Sequence, residues 1–383
     1  MKIKHDRFDN ETSTASELYL DMKIAFFHEL IPLSGARKVV DEYAKILGKD
    51  HKVDLYYVDD KEDKSVGQIF NRVHFFKFKS NQFRLYRDSV ELIRLFFLHK
   101  EIAKIINNNH YDIIFVSPSR YTQAPFLLGL IKNSVYFCQE PLRLVYDPLM
   151  KIPANINLLK KGYEYLNRRV RKVIDANNLH DAKLVLSNSE FSRDNIYKAY
   201  GTNAKVCYLG VDTQKFSPKN VKKIYDLLFI GDKSSIEGYD LLSETLKTFK
   251  KKPLVKYISR DSVGQRITEE DLVKELNKSK IVLALSKNEP FGLIPIEAMS
   301  CRVSVIAVSE GGLKESVVDG VTGYLIKRNK VDLKDRVELL LKNDSLRNKL
   351  GKNARERVLA KFSWEESVDR FLEVIKEVGY NIK

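Results

Sequence analysis

The sequence predicts an α/β protein built from two doubly wound domains, each a parallel sheet covered on both faces by helices. Three observations carry this. From Lys23 onward, short apolar strands alternate with segments of helical spacing. A non-periodic stretch containing Pro218 follows Gly210, and beyond it the alternation starts again. A chain of 383 residues is long enough for two domains that each bury their own core.

Residues 1–21 are polar, with neither a basic start nor an apolar centre, so they read as a tail and not as a secretory leader. The first strand is Lys23–His28. Ser34-Gly35-Ala36 then opens a helix over Ala36–Leu47, with Ser34 as a cap and small residues that let the backbone approach a ligand. Strands follow at Lys52–Tyr57, Asp112–Val116, Val135–Cys138, Leu184–Ser187 and Lys205–Tyr208, with a long helix from about Phe83 to Ile106. The second half repeats the theme with strands Leu227–Ile230, Val255–Ile258, Ile281–Leu285, Val303–Ala307 and Gly323–Leu325. Helices run from Lys330, and Phe362-Ser363-Trp364 begins the last one. The expected boundaries are therefore 22–215, 216–361 and a final segment 362–383.

Composition narrows the class. Hydrophobic content of 44% and charged content of 31% belong to a globular protein, and no apolar run reaches the length of about 18 residues that suggests a membrane span. Cys138, Cys207 and Cys301 are widely spaced and odd in number, which argues against a disulfide framework or zinc site and suits a reducing cytoplasm. The seven histidines are scattered, so no metal is expected. A net charge of +15 implies an anionic partner: sugar-nucleotide phosphates, a lipid phosphate, an anionic membrane or nucleic acid. Nucleic acid is set aside, since no helix-turn-helix, zinc or RNP-like pattern is present.

Two basic clusters stand out. The first, Lys77, Lys79, Arg84 and Arg87, is interleaved with Phe75, Phe76, Phe78, Phe83 and Tyr86; its composition is compatible with docking on anionic lipid, and it reads first as a strand and a helix with buried aromatics and solvated lysines. The second, Lys160-Lys161, Arg168-Arg169 and Arg171-Lys172, lies on a helix whose apolar positions Leu158, Leu159, Tyr165, Leu166, Val170 and Ile174 follow helical spacing. There the basic residues read as a solvated outer face over a buried apolar stripe.

The segment from Leu285 to Leu325 says most about function. A polar loop carries Glu289, Pro290-Phe291-Gly292 opens a helix bearing Glu297, and a strand then leads to the Gly311-Gly312 turn. Amide groups of Gly292, Leu293 and Ile294 leave the first turn of that helix, where the dipole favours a phosphate. Carboxylates beside a phosphate are tolerable only if they face hydroxyls as acceptors. A ligand both hydroxylated and anionic, a nucleotide sugar, satisfies both.

Glu289-Pro290-Phe291-Gly292-Leu293 with Glu297-Ala298-Met299 resembles the donor-binding motif of retaining GT-B glycosyltransferases of family 4, the group 1 transferases, of mannosyltransferase-like type. The resemblance implies a GT-B fold, two Rossmann-like domains facing a cleft, with the C-terminal helix crossing back to the first domain. It implies that Glu289 holds hydroxyls of the transferred sugar, that Glu297 holds the ribose, and that Phe291, Gly292, Leu293 and Ile294 line the donor. Gly35 matches the turn that borders acceptor and phosphates. Tyr136-Phe137-Cys138-Gln139-Glu140-Pro141-Leu142-Arg143 resembles an aromatic-x-His-x-Pro-x-Arg segment with Gln139 at the histidine place, which keeps positioning and loses proton handling. Arg143 is its arginine. Asn188-Ser189-Glu190-Phe191-Ser192 and Gly210-Val211-Asp212 match the end of the first domain in structural roles.

Departures fall in Gly231-Asp232-Lys233-Ser234-Ser235-Ile236-Glu237-Gly238, where Asp232 and Glu237 occupy the places of two phosphate-binding cations. Lys233, one position on, is the candidate replacement, with Arg260 and Lys287 in neighbouring loops. The stretch from Gly231 to Glu289 is also shorter than the family pattern by about one strand–helix unit. The expected activity is hexosyl transfer from a nucleoside-diphosphate sugar to a glycan or a polyprenyl- or lipid-linked acceptor, without a metal or other cofactor, in the cytoplasm or on the inner face of the membrane. The alternative is a degenerate GT-B protein acting as a binding or partner subunit.

Overall fold

A computed structural model describes residues 22–29, 35–80, 87–259 and 267–379. The predicted tail, Ser34, the segment 81–86 and Arg260 fall outside them.

The first sheet has seven parallel strands: β1 (Lys23–Glu29), β2 (Lys52–Asp59), β3 (Arg72–Lys77), β4 (Ile113–Val116), β5 (Ser134–Phe137), β6 (Leu184–Ser187) and β7 (Lys205–Val206). Their spatial order is β3-β2-β1-β4-β5-β6-β7. Strand β1 reads KIAFFHE and is buried on both faces, as a central parallel strand must be. Helices α1 (Gly35–Leu47), α2 (Arg87–Asn108), α3 (Arg143–Tyr146), α4 (Leu158–His180) and α5 (Glu190–Tyr200) make the crossovers.

The second sheet has five parallel strands: β8 (Tyr225–Ile230), β9 (Val255–Ile258), β10 (Ser279–Ala284), β11 (Ser304–Val308) and β12 (Gly323–Ile326), ordered β12-β11-β10-β8-β9. Its helices are α6 (Tyr239–Leu246), α7 (Glu269–Lys278), α8 (Leu293–Ser300), α9 (Leu313–Ser316), α10 (Lys330–Lys342) and α11 (Asp344–Lys361). Among the described residues, α6, β9 and α7 lie between β8 and β10.

The last helix, α12 (Trp364–Glu377), packs on the first domain. The Tyr43 hydroxyl of α1 lies 2.8 Å from Ser367 Oγ, and the Phe371 ring meets Tyr43 and Phe115 at 5.4 and 5.7 Å. Gly210 makes that return possible, because a β-carbon there would stand 2.5 Å from the Trp364 backbone. The expected return of the C-terminal helix is therefore observed.

Three expectations need correction. The expected strand series omits β3, because RVHFFK is a half-buried edge strand paired, among the described residues, to β2, without clean alternation; Phe75 and Phe76 lie on it, and Phe78 just beyond is buried. Among its described residues, the first basic cluster is thus a strand with inward-packed aromatics. Strand β7 stops at Val206, since Cys207 and Tyr208 turn toward α12, where the Cys207 thiol and the Tyr208 carbonyl both bond to Ser367. Helix α4 is inverted: its buried residues are Asn167, Arg171, Asp175, Asn178 and Leu179, whereas Leu158, Leu159, Tyr165, Leu166 and Val170 are exposed.

Candidate active site at the interdomain cleft

Strand order in the second sheet reverses at β8, with β9 on one side and β10 on the other. In open parallel sheets, ligands bind outside the carboxyl ends of strands at such a switch point. The segments leaving those ends here are Gly231–Gly238 after β8 and Leu285–Gly292 after β10.

Both acidic residues of the first segment are bonded to serines from neighbouring loops. Ser259 Oγ donates to Asp232 Oδ1 at 2.7 Å, and Ser286 Oγ donates to Glu237 Oε2 at 2.8 Å. Lys233 is exposed, with its ammonium 5.9 Å from both the Tyr239 and Tyr257 ring centres. Lys287 Nζ donates to Ser235 Oγ at 2.6 Å and lies 3.6 Å from Asp240. Two electron-rich rings thus attract the charge of Lys233, the candidate phosphate-binding cation.

The second segment is fixed by the double glycine. Gly312 N donates to Glu289 O at 2.9 Å, and a β-carbon at Gly311 would lie 2.5 Å from that same carbonyl. Gly292 caps α8 at φ 88°, a conformation that favours glycine, and places Leu293 and Ile294 in a half-buried first turn. Arg328 steadies the approach, donating to the carbonyls of Leu285 (2.8 Å) and Ser286 (3.1 Å) while paired with Glu310. Beneath Gly292, Glu237, Ser286, Glu289 and Ile294 line a cavity of only about 20 Å³.

Phe291 is fully buried, its ring 5.9 Å from Tyr208 and 5.7 Å from Phe362. It is a packing anchor at the seam between domains and not the ligand contact expected of it. Beside it, Ser189 Oγ donates to Pro290 O at 2.5 Å, and the Glu315 carboxylate accepts from Glu190 N and Phe191 N, each at 2.9 Å. A carboxylate at the start of α5 satisfies orphan amides and complements the helix dipole. The Glu289 loop is thus pinned to the first domain.

Across the cleft, Glu140, Arg143, Asp147 and Asn195 from the first domain and Asn288 and Pro290 from the second line a pocket of about 400 Å³. Arg143 Nε stands 3.3 Å from Asp147 and 3.6 Å from Glu140. Gln139 presents a buried side-chain amide nitrogen without a hydrogen-bond partner, while its backbone carbonyl accepts from Ser192 Oγ at 2.8 Å. Burial, and then the charges of Glu289 and Asp147, push the Glu140 carboxyl up to about 7 against the pull of Arg143. Glu140 was missed in the sequence because nothing local marks a carboxylate that only the fold brings to Glu289.

The Glu140 shift sets a pH dependence. A carboxyl that holds its proton more tightly when folded favours the folded state below its ordinary value of 4.5, and this contribution fades as pH rises through about 7. Glu140→Gln is expected to flatten that slope and to raise stability near pH 8 by on the order of 1–2 kcal/mol, read by thermal unfolding from about pH 5 to pH 8. An unchanged slope would remove Glu140 as its source.

Glu297, in the second turn of α8, is 4% exposed and is met by Lys38 of α1, Nζ to Oε1 at 3.1 Å. Lys38 also reaches Glu269 Oε1 at 2.8 Å and lies 5.1 Å from the Phe216 ring centre. Burial disfavours its charge, yet Glu297 and Glu269 outweigh that and hold the Lys38 pKa well above the ordinary value. Glu269 likewise resists burial: Lys38 and Lys215 bring its carboxyl down to about 2. Gly35, one turn before Lys38, opens α1 with free space where a β-carbon would be. The structure thus gathers Glu289, Gly292, Leu293, Ile294 and Glu297 on one loop and helix, with Gln139, Arg143 and Gly35 on the first domain.

Two parallel-sheet domains with a returning C-terminal helix and a cleft-facing, glycine-opened helix define the GT-B class. Solved structures agree across nearly the whole chain. A glycosyltransferase of Rickettsia africae superposes with a TM-score of 0.64 at 18% identity, covering 95% of this chain and all of that one. Anabaena HepE, solved with UDP and glucose, gives 0.64 at 18% identity, covering 93% of this chain and 99% of that one. Residues 261–357 match the family model described as Glycosyl transferases group 1, which includes both Glu289 and Glu297. An uncharacterized glycosyltransferase of Methanocaldococcus jannaschii is 30% identical over 169 residues, 40% of this chain and 48% of that protein. The alpha-1,3/1,6-mannosyltransferase of Homo sapiens is 30% identical over 131 residues, 33% of this chain and 32% of that protein. The chain spans half or less of the length of these relatives. Within a chain of GT-B fold, residues 261–357 of the second domain are thus similar to the group 1 glycosyltransferases.

Proposed function

We propose that the protein is a retaining glycosyltransferase that moves a hexosyl group from a nucleoside-diphosphate sugar to a hydroxyl of a glycan or of a polyprenyl- or lipid-linked acceptor. The observation that carries this reading is the placement of Glu289 and the Gly292 helix start at the switch point of the second sheet, pinned by Ser189 and Glu315 against the first domain. Glu289 accepts from hydroxyls of the donor sugar, and the amides at Gly292, Leu293 and Ile294 meet the diphosphate. Glu297 takes the ribose hydroxyls once Lys38 yields it, and Gln139 and Arg143 position the transferred group and acceptor. The dipole of α8 stabilises the departing diphosphate, with no metal required. The cavity of about 20 Å³ under Gly292 must enlarge for a donor to enter, by movement of Glu237 or of the domains.

Hydrolysis of sugar nucleotides and nucleotide binding test the assignment together. Glu289→Ala is expected to lower turnover by about a hundredfold with nucleotide affinity kept, and Glu297→Ala to weaken nucleotide binding by about tenfold. Near-wild-type values in both variants would remove these glutamates from the site.

A second reading, a binding or partner subunit without turnover, is favoured by one feature. Lys233 rests on aromatic rings, and Asp232 and Glu237 are bonded to serines. Clear nucleotide binding with no hydrolysis of UDP-, GDP-, ADP- or dTDP-sugars would select it.

A further inference from the structure

Helix α4 turns its polar residues inward for an identifiable reason. Arg171 Nε donates to Tyr121 O at 2.7 Å, Ala124 N donates to Asp175 Oδ1 at 2.8 Å, and Asn178 Nδ2 donates to Ala124 O at 2.9 Å. These side chains satisfy an irregular backbone segment that no strand pairs. Satisfying it does not require apolar residues on the other face, yet that is where they stand. Leu158 is 83% exposed, Leu159 87% and Leu166 62%, with Val173 beside them. Helix α2 is adjacent, the Ser89 and Tyr163 hydroxyls being 3.5 Å apart, and shows Ile93 and Phe97 exposed at 61 and 62%. Residues 158–173 hold six cations and one carboxylate. Of those cations, Lys160, Arg169 and Lys172 are exposed on α4, and Arg169 stacks on the Tyr165 ring at 4.8 Å.

We propose that the outer face of α4, with Ile93 and Phe97 of α2, docks on an anionic lipid bilayer, Leu158, Leu159 and Leu166 entering the acyl boundary while Lys160, Arg169 and Lys172 meet lipid phosphates. Large aliphatic side chains flanked by cations match a surface apolar below and anionic above. A second copy of the chain offers no such match, since its own face would bring the same cations together. Among the described residues no helix is long and apolar enough to span a membrane, so the association is peripheral. It is also directional. Arg168 ties α4 to the carbonyls of Leu144 and Met150, at 3.0 and 2.5 Å, in the segment whose Tyr146 and Asp147 line the cleft pocket. A bilayer seated on α4 therefore lies beside that pocket. The docking does not depend on the transferase chemistry and is measured without it.

The test is flotation of the full chain with vesicles of phosphatidylcholine alone and of phosphatidylcholine mixed with phosphatidylglycerol. Binding is expected to the mixed vesicles, to weaken as salt rises, and to be about a hundredfold poorer on neutral ones. Leu159→Glu with Leu166→Glu is expected to lower affinity by more than about a hundredfold without moving the thermal midpoint, both side chains being exposed. Lys160→Ala with Arg169→Ala and Lys172→Ala lowers it by about tenfold or more and keeps the test valid should the leucine variant misfold. No binding to mixed vesicles, or full binding by both variants, overturns the proposal. So does a wild-type dimer that the leucine substitutions split, since the face would then be covered by a second copy.

Discussion

Gly312→Ala is expected to abolish detectable transfer and to lower stability by about 3 kcal/mol or more, although its φ of −70° is open to any residue. The cause is contact and not conformation. An added β-carbon would stand 2.2 Å from the Pro290 carbonyl and 2.7 Å from Phe291 Cα, both backbone atoms. Relief requires the whole Glu289–Gly292 segment to retreat by about an ångström, enough to spoil a site that, in the proposed reading, positions reacting groups. The Gly312 N to Glu289 O bond would be lost with it. Gly320→Ala is the control: φ is +70° there, but nothing lies within 4 Å, so only about 1 kcal/mol of backbone strain is expected, with turnover intact. Thermal unfolding and donor hydrolysis on both variants decide the matter. Two equally mild substitutions would show that the glycine pair is incidental to the loop.

What could be read from the sequence, and what could not, divides by range. Strands β8, β10 and β11 are short apolar runs between polar turns, and the Glu289–Gly292 and Gly311–Gly312 signals are local; period and glycine placement express them directly. Lys38 and Glu297 lie 259 positions apart, so no spacing rule links them. The neighbours of Phe291 in sequence suggest a ligand contact, whereas its side chain fills the seam against Tyr208 and Phe362. Helix α4 failed for a deeper reason. Helical periodicity tells that a stripe exists, not which way it faces, and the usual assumption that apolar residues face inward fails once the inner face must hydrogen-bond the irregular segment at Tyr121–Ala124. Burial of Asp175 and Asn178 was set by that distant backbone, which local sequence does not encode.

Lys38→Met is expected to destabilise the protein and yet to tighten nucleotide binding. With its ammonium removed, Glu297 is left as a buried carboxylate without its charged partner, a loss of about 3 kcal/mol. Glu269, more exposed, retains Lys215 at 2.7 Å and suffers less. The pairs also set an acid limit. A carboxyl lowered to about 2 contributes stability that is full above its ordinary 4.5 and lost as pH falls through 2, so Lys38→Met should shrink the loss of stability seen over that window. Nucleotide affinity is expected to move the other way, because in the proposed site ribose hydroxyls and Lys38 would compete for one carboxylate. If the Lys38-bound form dominates the free protein, removing the competitor raises UDP or GDP affinity by about tenfold. Glu297→Gln keeps the volume but weakens the acceptor, and should lower affinity. Opposite changes in affinity from the two halves of one ion pair are incompatible with a purely structural bridge; titration calorimetry on both variants measures them. Weaker or unchanged nucleotide binding by Lys38→Met would mean that the bridge only holds the domains together and that the ribose is recognised elsewhere.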